Sequence, residues 1–210
     1  MISSPEINKI IRKILTPSLK EHGFTKTNTR NNWGWHNHSI WVLNIEGVGS
    51  YFSNVTGWTP MSIHVEMGIY YDFVPPLNSE INIGNNGELL PKYYQCHFQK
   101  SLNCNLNQSN YTNHLDNPAE RERKDIWWIE TDGLNVEEVI VDIKQSFLKN
   151  GLEWLRELTN VNTAFTEIEK GHDSYNKFYK ARYFAEHLNE KEKLQMYTQL
   201  MEQERKRIGL

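Results

Sequence analysis

The chain has 210 residues, of which 38% are hydrophobic and 23% charged, with a formal net charge of −3. That length supports one sizeable core with room for a helical appendage, and the composition is that of a folded chain, not a disordered one. The charge balance speaks against a general binder of nucleic acid or anionic membrane, whose footprint is basic. No apolar run approaches the roughly 18 residues of a membrane span.

The N-terminal stretch MISSPEINKIIRKILTPSL lacks the uninterrupted apolar core of a signal peptide, so a cytoplasmic location is expected. In that compartment Cys96 and Cys104 stay reduced thiols. Residues 1–110 carry 8 Lys/Arg and 7 Asp/Glu, whereas residues 111–210 carry 15 and 19. Charged helices with a solvated face are therefore expected in the second half.

In chain order, the first expected element is a helix with Ser4 as N-cap and Pro5 in its first position. Its apolar stripe is Ile7, Ile10, Ile11, Ile14, Leu15 and Leu19. Pro17 predicts a kink or short break near Thr16, and Gly23 the stop. NNWGWHNHSIWVLNI, from Asn31, predicts a hairpin turning at Asn37-His38. That register pairs Trp35 with Ile40 and Trp33 with Val42 on one face. Gly34 lies opposite Trp41 on the other, with His36 beside it.

Residues 47–60, rich in Gly, Ser and Asn, predict a loop. MSIHVEMGIYY, residues 61–71, alternates strictly and predicts a strand with one face on a core. A Pro/Gly/Asn loop over 72–92 precedes a strand over 93–100, with Tyr94, Cys96 and Phe98 on one side and Gln95, His97 and Gln99 on the other. After a polar loop, DIWWIE (125–130) is apolar on both faces, as in a strand covered on both sides.

A helix from Asn135 buries Val136, Val139, Ile140, Ile143, Phe147 and Leu148 and stops at Gly151, followed by the short helix LEWLREL. Residues 172–208 predict an antiparallel helix pair with Asp173 as cap, Tyr175, Phe178, Tyr179 and Ala185 on the first helix, and Leu194, Tyr197, Met201 and Ile208 on the second. The expected class is α+β: a mainly antiparallel β-sheet packed by helices, with a C-terminal α-helical hairpin. Residues 1–158 would form the α+β domain and 159–210 the hairpin packed on or extending it.

With these elements placed, the chain resembles the bacterial domain-of-unknown-function 4304 family. ILTPSLKEHGFTK, from Ile14 to Lys26, is similar to the family's N-terminal helix, Gly-Phe turn and basic residue. WVLNIEG and SIHVEMGIYY resemble its two central strands. DIWWIE with VIVDIKQSFLKNGLEWL resembles its late Trp-containing strand and amphipathic helix. The likeness covers roughly residues 5–158. It implies an α+β fold and transfers no catalytic residue. Families of this kind include immunity proteins, which is an analogy and not a site.

The His36-Asn37-His38 tripeptide spells the name of a nuclease family, but such nucleases draw their residues from separated positions, and a turn sends the two rings apart. Cys96, His97, Cys104 and His114 lack any Cys-x-x-Cys spacing. The sharper set is on the polar sheet face, where His64 and Glu66 share one strand and Gln95 and His97 another. If those strands are neighbours, His64, Glu66 and His97 converge, with His36 nearby, as a ligand set for zinc or iron. The competing expectation is a solvated sheet face. Trp127 would be an interaction hot spot if it lined a groove, and a core residue otherwise.

No nucleophile elbow or phosphate loop occurs. The expectation is a non-enzymatic bacterial binding protein, of immunity type, with a protein partner, no nucleic acid, no membrane and no cofactor. The alternative is a metal-dependent hydrolase with Glu66 as ligand or general base. Oligomeric state is left open.

Overall fold

The computed structural model describes residues 2–77 and 79–209 and has the expected α+β architecture. Helix α1 (Ser4–Glu21) begins one residue earlier than the sequence suggests, because Ser3 and not Ser4 has a glutamate three positions on. The Ser3 N–H and Oγ–H both donate to Glu6 Oε2, at 2.8 and 2.6 Å, closing a capping box. Those bonds hold the Glu6 carboxyl below its ordinary range. Pro17 does not break the helix. Ile7, Ile11, Leu15 and Leu19 are fully buried on both sides of it, and that burial outweighs one missing backbone bond. Gly23 follows with φ +100°.

Strands β1 (Lys26–Asn28), β2 (Asn31–His36) and β3 (Ser39–Gly47) form a meander. The β2–β3 register is the expected one, with Trp33 opposite Val42, Gly34 opposite Trp41 and Trp35 opposite Ile40. Asn37 makes the turn with φ +51°. The segment expected as loop contains helix α2 (Gly49–Thr56). Its glycines and serines mask a helical spacing, Val48 to Phe52, that lays both side chains on a cluster of Trp58, Leu115, Ile126 and Trp128.

Strand β4 (Ile63–Tyr71) pairs along its whole length with β3. A small hairpin, β5 (Asn82–Ile83) and β6 (Leu89–Leu90), lies in the loop after it. Strand β7 (Phe98–Ser101) pairs with β4 from Glu66 to Ile69. Short helices α3 (Ser109–Thr112) and α4 (Pro118–Arg121) then lead to β8 (Ile126–Trp127), which pairs with β4 at Ile63 and His64. The strand order is β1-β2-β3-β4-β7, with β8 also on β4.

The strand expected over 93–100 starts only at Phe98. Tyr93–Gln95 form a 3₁₀ turn, closed by the Lys92 N–H donating to Gln95 Oε1 at 2.8 Å. His97 then extends the ladder with its side chain. Its N–H donates to Ile69 O at 2.8 Å, and its Nδ1 accepts from Tyr71 N–H at 2.9 Å.

Odd residues of β4 face a single large core with Trp41, Leu43 and Ile45 of β3. Helices cover that face: α5 (Val136–Ser146), a π turn (Phe147–Gly151), α6 (Leu152–Thr159), α7 (Val161–Lys170), α8 (Tyr175–His187) and α9 (Lys191–Ile208). Gly151 does not stop the helix as expected. A Cβ there would lie 2.8 Å from Met67 Sδ, so this glycine serves close packing on β4. Helix α7 falls where no element was predicted, although Asn160 caps it through the N–H groups of Asn162 and Thr163. Ser174, not Asp173, caps α8, while Asp173 takes the Lys177 ammonium at 2.9 Å. The α8–α9 pair shares the main core, with Phe184 edge-on to Tyr71 at 4.8 Å.

Asp142 on α5 ties the two halves together. It is buried and accepts from Trp127 Nε1 (2.8 Å), Asn105 N–H (2.9 Å) and Asn105 Nδ2 (3.2 Å). Asp142→Ala strands the buried Trp127 indole N–H and frees two donors of Asn105, and the urea unfolding midpoint is expected to fall by an amount equal to roughly 1–3 kcal/mol at constant m. A loss under about 0.5 kcal/mol would show that water replaces the carboxylate.

His97 carries a pH signature. Burial, with Lys180 as a second cause, lowers its pKa from 6.5 to about 3. Between those values the unfolded chain binds the extra proton and the folded chain does not, so stability falls as pH drops through the window. The slope is at most about 1.4 kcal/mol per pH unit. In His97→Gln, which keeps an acceptor and cannot titrate, that part of the acid slope is expected to vanish in denaturant titrations between pH 6.5 and 4.

Candidate functional site

The even face of β4 differs from the broad polar surface expected for it. Its middle is apolar: Trp33, Ile40, Val42, Tyr70 and Cys96 pack there beneath Leu89, Leu90 and Tyr93. Gly68 permits this covering, because a Cβ there would lie 2.5 Å from the Cys96 side chain. Toward the two ends of the strand this face opens into clefts.

The first cleft, about 290 Å³, is lined by His64, Glu66, Arg123, Asp125, Ile126, Val48 and Phe52. Alternation on β4 places His64 and Glu66 there, and the β3 register sets Glu46 opposite His64. His64 is bracketed, with Nε2 3.6 Å from Glu46 Oε2 and Nδ1 3.8 Å from Glu66 Oε1. Glu66 also accepts from Ser101 Oγ at 2.9 Å. Ser101 and His64 thus lie on either side of a carboxylate, whereas a nucleophile–base–acid triad needs the imidazole in the middle.

Arg123 donates to both Asp125 oxygens, at 2.9 and 2.6 Å, approaches Glu120 at 3.5 Å and sits 5.5 Å from the Phe52 ring centre. The bond to Asp125 raises the guanidinium pKa, and the same bond holds the Asp125 carboxyl below its ordinary range. The cation is therefore already engaged by carboxylates, while among the described residues Glu66 has only the Ser101 hydroxyl and the His64 ring, and Glu46 stands between His64 and Arg30. The cleft is acidic, with an apolar wall.

Gln95 and His97 line a second cleft, of about 280 Å³, at the other end of β4. The Gln95 amide donates to Ser79 Oγ (2.7 Å) and Glu80 O (3.1 Å), which holds the loop. The His97 ring stacks on Tyr70 at 4.6 Å. His36 lies on the opposite, helix-covered face, its ring 3.8 Å from that of Trp41. Burial lowers its pKa, and the Gly23 backbone beside the ring opposes that shift. His38 turns away toward Asp72 (3.3 Å) and His187 (4.6 Å between rings), so the tripeptide is a turn with diverging rings. Trp127 lines no groove: it is fully buried on Asp142. Cys96 and Cys104 are free and buried.

Glu46, Phe52, Arg123 and Asp125 were missed by sequence reasoning. Their one sequence signal is Arg-Lys-Asp immediately before the late strand, a charge pair at the mouth of an apolar segment. Lys180 of the second cleft has no local signal, since only the docking of α8 brings it to the sheet.

Among the described residues no helix is long and apolar enough to cross a membrane. No curated protein and no solved structure matches the chain. One family model, for a domain of unknown function, matches residues 15–157, from within α1 to within α6. That match contains all the strands given above together with α5 and most of α6, and stops before α7, α8 and α9; the chain belongs to the domain-of-unknown-function 4304 family.

Proposed function

We propose that the protein is a non-enzymatic binding module that grips a basic side chain of a protein partner in the cleft between β4, β8 and α2. The observation that carries this reading is the imbalance at His64. Glu66 and Asp125 line a cleft whose arginine is held by Asp125 and Glu120, with Glu46 on the far side of the His64 ring. An incoming lysine or arginine lays its methylenes on Phe52, Val48 and Ile126 and brings its charge to Glu66.

Beside the cleft, Tyr51 and Val55 stand one turn apart on α2 and are 85% and 70% exposed, which extends an apolar rim suited to a protein surface. Covering a partner's basic site in this way is how an immunity-type protein would act on a bacterial partner.

The alternative, a metal-dependent hydrolase on His64, Glu66 and His97, asks three side chains to surround one ion at about 2 Å. His97 bonds the strand at Ile69, five residues from His64, or on the order of 16 Å along β4. Glu46 and Glu66 approach different nitrogens of His64, with the ring between them. His36 is behind the sheet. Among the described residues no group of three His, Cys, Asp or Glu is placed to hold a metal.

Calorimetric titration with short Arg- and Lys-containing peptides, against citrulline and acetyl-lysine counterparts, tests the reading. The charged peptides are expected to bind more tightly, with affinity falling in salt. Glu66→Gln, which can still accept from Ser101, is expected to weaken them about tenfold, or roughly 1.4 kcal/mol. Equal binding of charged and neutral peptides, or an unchanged Kd in Glu66→Gln, would sink it.

A further inference from the structure

The second cleft has the opposite chemistry. Its walls come from the loop after β4 (Pro75, Pro76, Leu77), the 3₁₀ turn (Tyr94) and α8 (Tyr179), with Lys180, Asn176 and His97 among its polar lining. Tyr179 O–H donates to Pro75 O at 3.1 Å and fastens the proline rim to the helix. The glutamines are already engaged: Gln95 with Ser79 and Glu80, Gln99 with the carbonyls of Tyr94 and Cys96 at 3.1 and 3.2 Å. What is left is a surplus of donors.

Lys180 Nζ gives one hydrogen bond, to His97 O at 3.0 Å, and lies 5.8 Å from the Phe98 ring centre. None of the ion pairs among the described residues includes it, the reverse of Arg123 and Lys193. Two ammonium protons are therefore left for a ligand. Burial without an ion-pair partner pulls the Lys180 pKa down, and an arriving anion would stabilise the ammonium form.

His97 supplies a second donor by necessity. Its Nδ1 accepts from Tyr71 N–H, so the neutral ring carries its proton on Nε2, for which the described residues offer no acceptor. Asn176 adds an amide from the same face of α8, one turn before Lys180.

We propose that this cleft is a binding site for a small organic carboxylate, held by Lys180 and His97 Nε2–H, with a compact apolar or aromatic body lying among Pro75, Pro76, Leu77, Tyr94 and Tyr179. The volume, near 280 Å³, is at the small end of ligand sites. A single lysine with one imidazole suits the single charge of a carboxylate better than the double charge of a phosphate monoester. The site is separate from the acidic cleft and rests on none of its residues.

Saturation-transfer NMR with benzoate, phenylacetate and indole-3-acetate tests this, with benzamide as the neutral match and phenyl phosphate as the rival anion. The acids are expected to bind, benzamide at least tenfold more weakly, and Lys180→Met to lose the acids by tenfold or more while Lys180→Arg retains most of the affinity. Glu66→Gln, in the other cleft, is expected to bind them unchanged. The wild-type protein gives an independent reading: benzoate should shift the His97 Nε2 nitrogen resonance and leave that of His64 in place. No acid binding at millimolar concentration, equal binding of benzoate and benzamide, binding of phenyl phosphate alone, or an unmoved His97 resonance would each overturn the assignment.

Discussion

The molecule depends on the two-sided character of β4. Period-2 alternation sends Ile63, Val65, Met67, Ile69 and Tyr71 into the helical core, each fully buried. The even residues then have only the other face to occupy. The same strand accepts β3, β7 and β8 as neighbours, so a one-residue slip would turn the whole core outward and break three pairings at once. Both clefts inherit their positions from this one register. His64 and Glu66 mark its first half, and Tyr70 carries the stacked His97 at its far end.

Most polar side chains that look available on β4 and its neighbours are in fact completing the backbone. His97 replaces a ladder bond, Gln95 and Gln99 saturate loop carbonyls, and Asp142 collects donors from the segment that leads into β8. Such groups would be costly to leave unpaired at that depth, and this explains why a polar residue at the right parity is a poor guide to a ligand site. The informative residues are those with capacity left over. Glu66 is a carboxylate with only a hydroxyl and one imidazole shared with Glu46 beside it, and Lys180 is a donor with a single carbonyl.

Local pattern carried much of the fold. The Asn37 turn and its register followed from one left-handed asparagine between alternating aromatics, and β4 from unbroken alternation. What failed was decided by contacts distant in sequence. Pro17 stays helical because α1 is buried on both sides of it. Gly151 continues the helix because Met67 packs where its Cβ would be, and the strand begins only after a 3₁₀ turn over Tyr93–Gln95 that sets Cys96 on Gly68. The candidate site was legible only in part. His64 and Glu66 were correctly placed together by alternation, whereas His97 and Gln95 belong to another cleft and Trp127 to the core. No spacing rule could join His64 to Arg123 and Asp125, which reach it through β8 pairing.

The two clefts are of opposite sign and stand at opposite ends of one rigid strand, separated by the apolar cover on Gly68. They differ too in what closes them. The acidic cleft is walled by α2, which buries no residue fully and leaves Tyr51 and Val55 to solvent. The donor-rich cleft is roofed by a proline loop pinned to α8 through Tyr179, and its lysine lies deeper, where displacing water strengthens a single ion pair. On the readings proposed above, the acidic notch beside apolar side chains would take one basic side chain of a surface, and the half-buried cation among aromatics a small anion. The shared strand makes them neighbours without making them one site.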